Sequence, residues 1–264
     1  MNYIEVKNLL VKFDNVTAVD NISFLVPKGE IFAFLGPNGA GKTTTIKVLT
    51  TLLESTSGEV LIDGVNVKEN PLLVRKKFGI CFQDQSLDDD LTAYENMDFH
   101  GILYGVKKKE RTKKINELFE LVELSERKDD FVRNFSGGMK RRLELARALI
   151  HEPRILYLDE PTLGLDPQTR NHIWNYIKNL SEKSGMTIFF TTHYMEEAEK
   201  FADRITIIDH GKIVAEGTSD ELMKRTNTIS LEDAFISLTG KTVREAKTDS
   251  AENFRNHARA WGRK

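Results

Sequence analysis

The chain has 264 residues, of which 40% are hydrophobic and 30% are charged, so it is long enough and apolar enough to bury a substantial core. Its 38 Lys and Arg against 40 Asp and Glu give a formal net charge of −2, which argues against a nucleic-acid binder held by a broad basic face. The single cysteine, Cys81, excludes an intrachain disulfide and a cysteine zinc cluster. The longest apolar runs, such as those at 31–35 and 155–158, are far shorter than the roughly 20 residues that span a bilayer. We therefore expect neither an integral membrane protein nor a disulfide scaffold, and the N-terminus lacks the pattern of a secretory signal.

The pattern of apolar residues predicts strands that alternate with helices. In chain order the predicted elements are strands at 3–9, 21–26 and 30–35, a helix at 42–53, a hairpin at 59–67 that turns on Asp63 and Gly64, a mostly helical stretch at 88–134, a helix at 140–150, a strand at 155–158, a helix at 168–180, and strands at 187–191 and 204–208. Strands separated by helices predict a largely parallel sheet with helices on its faces, so the fold class is α/β.

The stretch from about 88 to 134 differs from the rest because it is heavily charged. The spacing of Thr92 and Glu95 is that of a helix N-terminal capping box. The lysine runs at 107–109 and 113–114 are typical of a solvated helix face. We therefore predict a helical insert within the α/β domain.

A glycine-rich segment after the third predicted strand fits the phosphate-loop pattern G-x-x-x-x-G-K-[ST]. Its residues are Gly36, Pro37, Asn38, Gly39, Ala40, Gly41, Lys42 and Thr43. Backbone N–H groups in such a loop curl around phosphates, and the following helix N-terminus adds partial positive charge. Lys42 can reach the β- and γ-phosphates and Thr43 can offer its hydroxyl to Mg²⁺. The alternative, an ordinary glycine turn, is disfavoured because a chance match in a chain of this length is on the order of one in a hundred.

Polar residues end two further predicted strands. Asp159 suits Mg²⁺, and Glu160 suits a general base that polarises an attacking water. His193 suits a contact to a γ-phosphate or to that water, although a lone histidine is more often structural. Because ligands bind at the carboxyl ends of strands in open α/β sheets, we expect these residues to meet the phosphate loop.

Ser136, Gly137 and Gly138 precede the helix predicted at 140–150. They form a second helix N-terminus that can bind an anion. An ordinary serine N-cap explains the same residues.

Together these motifs resemble the nucleotide-binding subunit of ABC transporters over about residues 3–240. The Walker A of that family matches Gly36 to Thr44, and its Q-loop glutamine matches Gln83. Its signature matches Phe135 to Met139, and its Walker B matches residues 155–159, with Glu160 directly after. Its D-loop matches Gly164 to Asp166, and its switch histidine matches His193. The segments 82–88, 91–96, 139–149 and 230–235 are similar to the daunorubicin-resistance and sodium-efflux type, which pairs with ABC-2 type permeases.

The resemblance implies a P-loop NTPase (RecA-like) core with an antiparallel β-subdomain and an inserted helical subdomain. The expected domains are the core with its β-subdomain at 1–87 and 136–220, the helical insert at 88–135 and a C-terminal helical extension at 221–264. Two copies are expected to sandwich ATP head to tail, with each signature closing on the nucleotide of the other chain.

The resemblance also implies a role for each site residue. The catalytic residues would be Glu160, His193, Gln83 and Lys42, and the residues at Mg²⁺ would be Thr43, Gln83 and Asp159. The ATP-binding residues would be Phe13, Gly36, Pro37, Asn38, Gly39, Ala40, Gly41, Lys42, Thr43, Thr44, Ser136, Gly137, Gly138 and Asp166. Phe13 would stack on adenine, and the alternative is that it belongs to the core. Phe135 and Met139 replace the Leu and Gln of the general signature, and Met139 cannot donate a hydrogen bond.

The implied cofactors are ATP and Mg²⁺, and the implied partners are a second copy and ABC-2 type permease subunits at the cytoplasmic face of the cell membrane. Asp84 and the acidic run 88–90 are candidates to meet the permease, although a solvated acidic loop explains them equally well. The basic tail at 241–264 suits an amphipathic helix or a partly ordered tail. The alternatives are a soluble ABC ATPase without a permease, a small-molecule kinase and a non-catalytic nucleotide-binding regulator. No nucleic acid is expected.

Overall fold

The computed structural model describes residues 2–240, so the helix predicted in the tail at 241–264 lies outside the described residues. The strands are β1 Asn2–Phe13, β2 Val16–Pro27, β3 Ile31–Leu35, β4 Ser57–Ile62, β5 Val65–Asn66, β6 Phe78–Cys81, β7 Ile155–Asp159, β8 Thr187–Thr192, β9 Arg204–Asp209 and β10 Lys212–Gly217. The helices are α1 Lys42–Leu49, α2 Pro71–Arg75, α3 Ala93–Leu103, α4 Lys108–Leu121, α5 Gly137–Ala148, α6 Pro167–Ser184, α7 Met195–Phe201, α8 Ser219–Thr226 and α9 Leu231–Thr239. Two single 3₁₀ turns, Ser125–Arg127 and Val132–Asn134, connect α4 to α5.

The strands form two sheets, which confirms the predicted α/β fold class. The six-stranded sheet has the order β10-β9-β3-β8-β7-β6, with all neighbours parallel except β10 and β9. The four-stranded sheet, β2-β1-β4-β5, is antiparallel and is the expected β-subdomain. Its last hairpin turns at Asp63 and Gly64, as predicted, where both residues have positive φ angles of 49° and 72°.

Alternate residues of the parallel strands face two separate cores because successive side chains of a strand point to opposite faces. Phe32 and Phe34 of β3 pack with Phe189 of β8 against the small sheet and α1. Ala33 and Leu35 of β3 point the other way, into the core formed with the helices α3 to α9. Covering both faces explains why these strands read as continuous apolar runs.

The charged middle stretch is helical, in agreement with its pattern. Thr92 and Glu95 form the predicted capping box: the Glu95 N–H donates to Thr92 Oγ1 at 3.2 Å, and the Thr92 N–H donates to Glu95 Oε2 at 2.8 Å. The helices α3 and α4 are joined by the ion pair between Arg111 Nε and Asp98 Oδ1 at 2.6 Å. The domain limits at 88–135 and at 221–264 stay predictions.

The structure differs from the predicted limits of three helices. The helix predicted at 42–53 ends at Leu49, because Thr51 has a φ of 61° and the chain turns back toward Lys47 O. The helix predicted at 140–150 begins at Gly137, since Ser136 is its N-cap and the two glycines form its first turn. The helix predicted at 168–180 runs from Pro167 to Ser184 and stops at Gly185, whose φ of 64° ends it.

No α-helix among residues 2–240 combines the length and the apolar composition that crossing a bilayer requires.

Phe189 lies at the centre of the core between the two sheets, with its ring 5.3 Å from that of Phe32 and 5.7 Å from those of Phe34 and Tyr157. We expect Phe189→Ala to lower the free energy of unfolding by about 3–5 kcal/mol, because it removes a fully buried ring and leaves a cavity. Denaturant titration measures the change. The exposed Phe99→Ala is the control, with an expected change near zero, and equal effects of both variants would contradict this account of the core.

Candidate active site

The four segments singled out by the sequence follow four neighbouring strands of the parallel sheet. In the order β3-β8-β7-β6, β3 is followed by the phosphate loop, β8 by His193, β7 by Glu160 and β6 by Gln83. The strands run in one direction, so their carboxyl ends share one edge. The sheet therefore gathers residues that are more than a hundred positions apart in the chain.

The phosphate loop is fitted closely against β2 and β9. A Cβ on Gly36 would collide with the carbonyl oxygen of Ile208, and a Cβ on Gly41 would lie 2.5 Å from Ala18 O. Gly41 also has a φ of 105°, which L-residues with a side chain rarely adopt. Asn38 and Gly39 are exposed at the tip of the loop, whereas Ala40 is buried. The pattern of glycines is thus required by the packing of the loop.

Lys42 is buried beneath the loop at the start of α1. Its Nζ donates to Gly36 O at 2.8 Å and to Pro37 O at 3.2 Å, and it lies 3.1 Å from Glu160 Oε1. The loop backbone therefore fixes an ammonium group beside the carboxylate of Glu160, the residue directly after β7. Thr44 follows in the first turn of the same helix and is half-buried.

Glu160 is held on both sides. Its Oε1 faces Lys42, its Oε2 lies 3.1 Å from His193 Nδ1, and its N–H donates to the hydroxyl of Thr191 at 3.0 Å. Burial raises the pKa of Glu160, but the hydrogen bond from His193 and the charges of Lys42 and His193 outweigh it, so the pKa is lowered overall. Glu160 is therefore a carboxylate at neutral pH, which is the form that a general base requires.

Asp159 and Thr43 provide oxygen atoms that suit Mg²⁺. Asp159 is 1% exposed, and its Oδ1 accepts from Thr43 Oγ1 at 3.3 Å and from Thr191 Oγ1 at 2.5 Å. Mg²⁺ prefers hard oxygen ligands and is usually held by one or two protein groups together with phosphates and water. The described residues contain no cluster of three His, Cys, Asp or Glu side chains that could hold a metal ion, so the fit rests on Thr43 and Asp159. Gln83 lies exposed in the loop after β6.

Ser136 and Asp166 are helix N-caps within this chain. Ser136 Oγ accepts from the Met139 N–H at 3.3 Å, and Asp166 Oδ1 accepts from the Thr169 N–H at 3.0 Å. Gly138 packs against Thr169, since a Cβ on Gly138 would lie 2.8 Å from Thr169 Cγ2. Among the described residues, no hydrogen bond or ion pair joins Ser136 or Asp166 to the phosphate loop. Ser136 and Gly137 are exposed, and the structure leaves both available to another molecule.

Phe13 ends β1 and is 47% exposed, so the alternative that it belongs to the core is wrong. It pairs with Val16 at the tip of the hairpin formed by β1 and β2. The same hairpin contacts the phosphate loop where Ala18 meets Gly41. An exposed ring on this hairpin is free to stack on a flat ligand.

Two residues that the sequence analysis missed organise the site. Thr191 bonds both Asp159 and the backbone of Glu160. Glu197, which is 3% exposed, accepts from the hydroxyls of Thr162 and Thr192, the latter at 2.7 Å. Two consecutive threonines at the end of β8 could have pointed to Thr191. Glu197 lies in a charged helix, whose pattern is typical of a solvent-exposed helix.

Residues 19–163 match the ABC transporter family. The linearmycin resistance ATP-binding protein LnrL of Bacillus subtilis is 43% identical over 92% of this chain and 76% of that protein. The daunorubicin/doxorubicin resistance ATP-binding protein DrrA of Streptomyces peucetius is 40% identical over 83% of this chain and 66% of that protein. These relatives confirm the similarity to the daunorubicin-resistance type.

Solved structures agree with the fold. An ATP-binding subunit of an ABC transporter superposes with a TM-score of 0.82 at 30% identity, covering 90% of this chain and 99% of that chain. A dimeric ATP-binding cassette in a post-hydrolysis state, bound to ADP and Pi, superposes with a TM-score of 0.74 at 30% identity, covering 81% of this chain and 98% of that chain.

Thr191 joins β8 to the two carboxylates at the end of β7. We expect Thr191→Val to lower the free energy of unfolding by about 1–3 kcal/mol, because the buried Asp159 loses a donor while the side-chain volume is kept. Thermal and denaturant unfolding measure the loss. Thr17→Val, at an exposed position of β2, is the control and should change stability little, so a larger loss in the control would refute the role given to this hydroxyl.

Proposed function

We propose, because this chain belongs to the ABC transporter family of ATP-binding proteins, that two copies bind Mg²⁺-ATP between them and hydrolyse it to power export through a separate ABC-2 type permease. The observation that carries the proposal is the contact of Lys42 and His193 with opposite oxygens of Glu160, at 3.1 Å each. These contacts place the base Glu160 beside the cation Lys42 at the edge of the sheet that carries the phosphate loop.

The proposed chemistry assigns a task to each group. Thr43 and Asp159 would hold Mg²⁺, which would supply positive charge next to the phosphates. Lys42 contacts the terminal phosphates, and the backbone N–H groups of residues 36–43 surround them. Glu160 orients and polarises the attacking water, while His193 fixes the direction of its carboxylate. Gln83, on the exposed loop after β6, is proposed to contact Mg²⁺ or that water on closure.

A second copy is proposed to complete each site. Ser136 and Gly137 are exposed at the N-terminus of α5, a position that can bind an anion. No hydrogen bond among the described residues joins them to the phosphate loop of the same chain. In a head-to-tail pair they would face the nucleotide of the other copy, and Asp166 would lie near the same interface. The similar cassette bound to ADP and Pi is dimeric, which supports the pairing of two copies.

The permease is proposed to dock on the helical insert. Phe99, Ile102 and Leu103 of α3 are 58%, 52% and 66% exposed and share one helix face, which suits contact with an apolar partner. The acidic run is a weaker candidate than expected, since Asp89 pairs with Lys140 at 2.7 Å and Asp90 pairs with Arg133 at 3.1 Å.

Export of a drug-like compound is proposed from the relatives. LnrL and DrrA are named as ATP-binding proteins of linearmycin and of daunorubicin/doxorubicin resistance. The corresponding location is the cytoplasmic face of the cell membrane, reached through the permease.

We expect the wild-type chain to hydrolyse ATP in the presence of Mg²⁺ and to lose that activity with a chelator. Glu160→Gln should keep ATP binding, lower turnover by about 10²–10⁴-fold and hold the dimer together with ATP, because the amide cannot accept the proton. A phosphate-release assay and gel filtration with ATP measure these effects. The exposed Glu199→Gln on α7 is the matched control, and wild-type turnover in Glu160→Gln would refute the role of Glu160.

We expect tagged protein, purified from gently solubilised membranes of its source, to carry a polytopic membrane protein with it. Ile102→Asp on α3 should reduce that recovery, whereas Leu25→Asp, at an exposed position of β2, should not. Mass spectrometry of the purified material identifies the partner. Recovery from the soluble fraction alone, with ribosomes, DNA or nothing, would favour a soluble ABC-type ATPase and overturn the permease assignment.

A further inference from the structure

Arg141 is a buried cation whose side chain is completely engaged in hydrogen bonds. It lies on α5, is 7% exposed, and its five N–H groups are matched by five hydrogen bonds. The acceptors are Pro161 O at 2.7 Å, Asp159 O at 3.2 Å, Glu160 O at 3.3 Å, Phe82 O and Glu144 Oε2 at 3.0 Å. Four of the five are backbone carbonyls, so Arg141 fixes the conformation of the main chain around it.

These carbonyls belong to the two segments that carry Glu160 and Gln83. Phe82 directly precedes Gln83 after β6, and residues 159–161 follow β7, the neighbouring strand. Glu160 has a φ of 47°, in the left-handed region, so its backbone must be held by its surroundings. Its N–H is held by Thr191, and its carbonyl is held by Arg141. The planar fork of one guanidinium therefore fixes two loops relative to each other.

The same face of α5 also contacts a later residue of the loop after β6. Glu144 is 1% exposed, and its Oε1 accepts from the Ser86 N–H at 2.8 Å and from Ser86 Oγ at 3.2 Å. Arg147 donates to Ser86 O at 2.7 Å. Because Glu144 also pairs with Arg141, neither buried charge lacks a partner. The segment from Phe82 to Ser86, with Gln83 inside it, is thus anchored at both ends to one helix.

We propose that Arg141, supported by Glu144, is a positioning residue for ATP hydrolysis, which sets the backbone of Glu160 and the loop of Gln83 in the relative placement that the reaction needs. This inference rests on the proposed function. Arg141 contacts backbone and Glu144 alone among the described hydrogen bonds, so it acts through Glu160 and Gln83 and not on the nucleotide. A lysine cannot replace it fully, because an ammonium group lacks the planar fork that reaches both loops.

The test compares Arg141→Gln with Arg142→Gln in the full-length chain. Arg142 is the matched control, because it lies on the same helix and donates to a carbonyl outside the site, Val122 O at 3.0 Å. We expect Arg141→Gln to lower kcat on the order of tenfold to hundredfold, since small misplacements of catalytic groups have effects of that size. The affinity for ATP should stay within about twofold of wild type, because the phosphate loop is untouched. Arg141→Lys should recover part of kcat, and Arg142→Gln should match wild type.

Cys81 supplies a second readout that does not depend on hydrolysis. It is the single cysteine of the chain, it ends β6 directly before Phe82, and it is 1% exposed. Because the thiol is buried, the wild-type protein should react very slowly with a maleimide. Arg141→Gln should speed the reaction by freeing the segment after β6, whereas Arg142→Gln should not.

The outcomes separate this inference from the proposed function. Wild-type protein that binds ATP without hydrolysing it would overturn both. Equal kcat in wild type and Arg141→Gln, or a loss of ATP affinity that matches the loss of kcat, would overturn the positioning role alone. An Arg141→Gln variant with a lowered kcat but an unchanged rate of Cys81 labelling would also overturn the positioning role. Should Arg141→Gln fail to fold, Arg141→Lys and Glu144→Gln decide the question, and wild-type kcat in both would refute the proposal.

Discussion

The parallel pairing of β3 with β8 and of β8 with β7 is the constraint on which the candidate site depends. The register pairs Leu35 with Thr192 and Asp159 with Thr191, so the three strands end at one level. Because backbone hydrogen bonds fix that level, the side chains of Lys42 and His193 both reach the carboxylate of Glu160. A slip of one residue would turn the buried carboxylate and the threonines to the opposite face.

Five buried charged groups at this edge of the sheet have ion-pair or hydrogen-bond partners close by. Lys42 pairs with Glu160, Arg141 pairs with Glu144, and Asp159 accepts from two hydroxyls. An ion without a partner in such surroundings would be strongly unfavourable, so each charge is placed where a complementary group already lies. The groups are thereby held in one geometry before a ligand arrives, which is the condition under which electrostatic stabilisation of a transition state is most effective.

The elements were predictable wherever the local pattern decided them. The strand at 155–158 and the capping box of Thr92 follow from apolar runs and from a cap that acts over three residues. The limits of α1 and α5 were predicted less well, because apolar periodicity detects neither the left-handed conformation of Thr51 nor the first turn that Gly137 and Gly138 form after the Ser136 N-cap. The roles of Thr191, Glu197 and Arg141 were missed for a different reason, since each bonds atoms that only the folded chain brings near.

The sequence by itself determined the chemical groups of this protein and their order: a phosphate loop after a buried strand, a pair of carboxylates, a histidine and a glycine-rich helix start. These can be recognised because each short motif consists of residues that are adjacent or nearly adjacent in the chain. Only the tertiary structure decided which oxygen of Glu160 faces Lys42 and which faces His193, that Phe13 is exposed, and that one arginine of α5 fixes two loops. Those facts depend on strand order and side-chain packing, in which contacts join residues far apart in the chain and no local pattern encodes them.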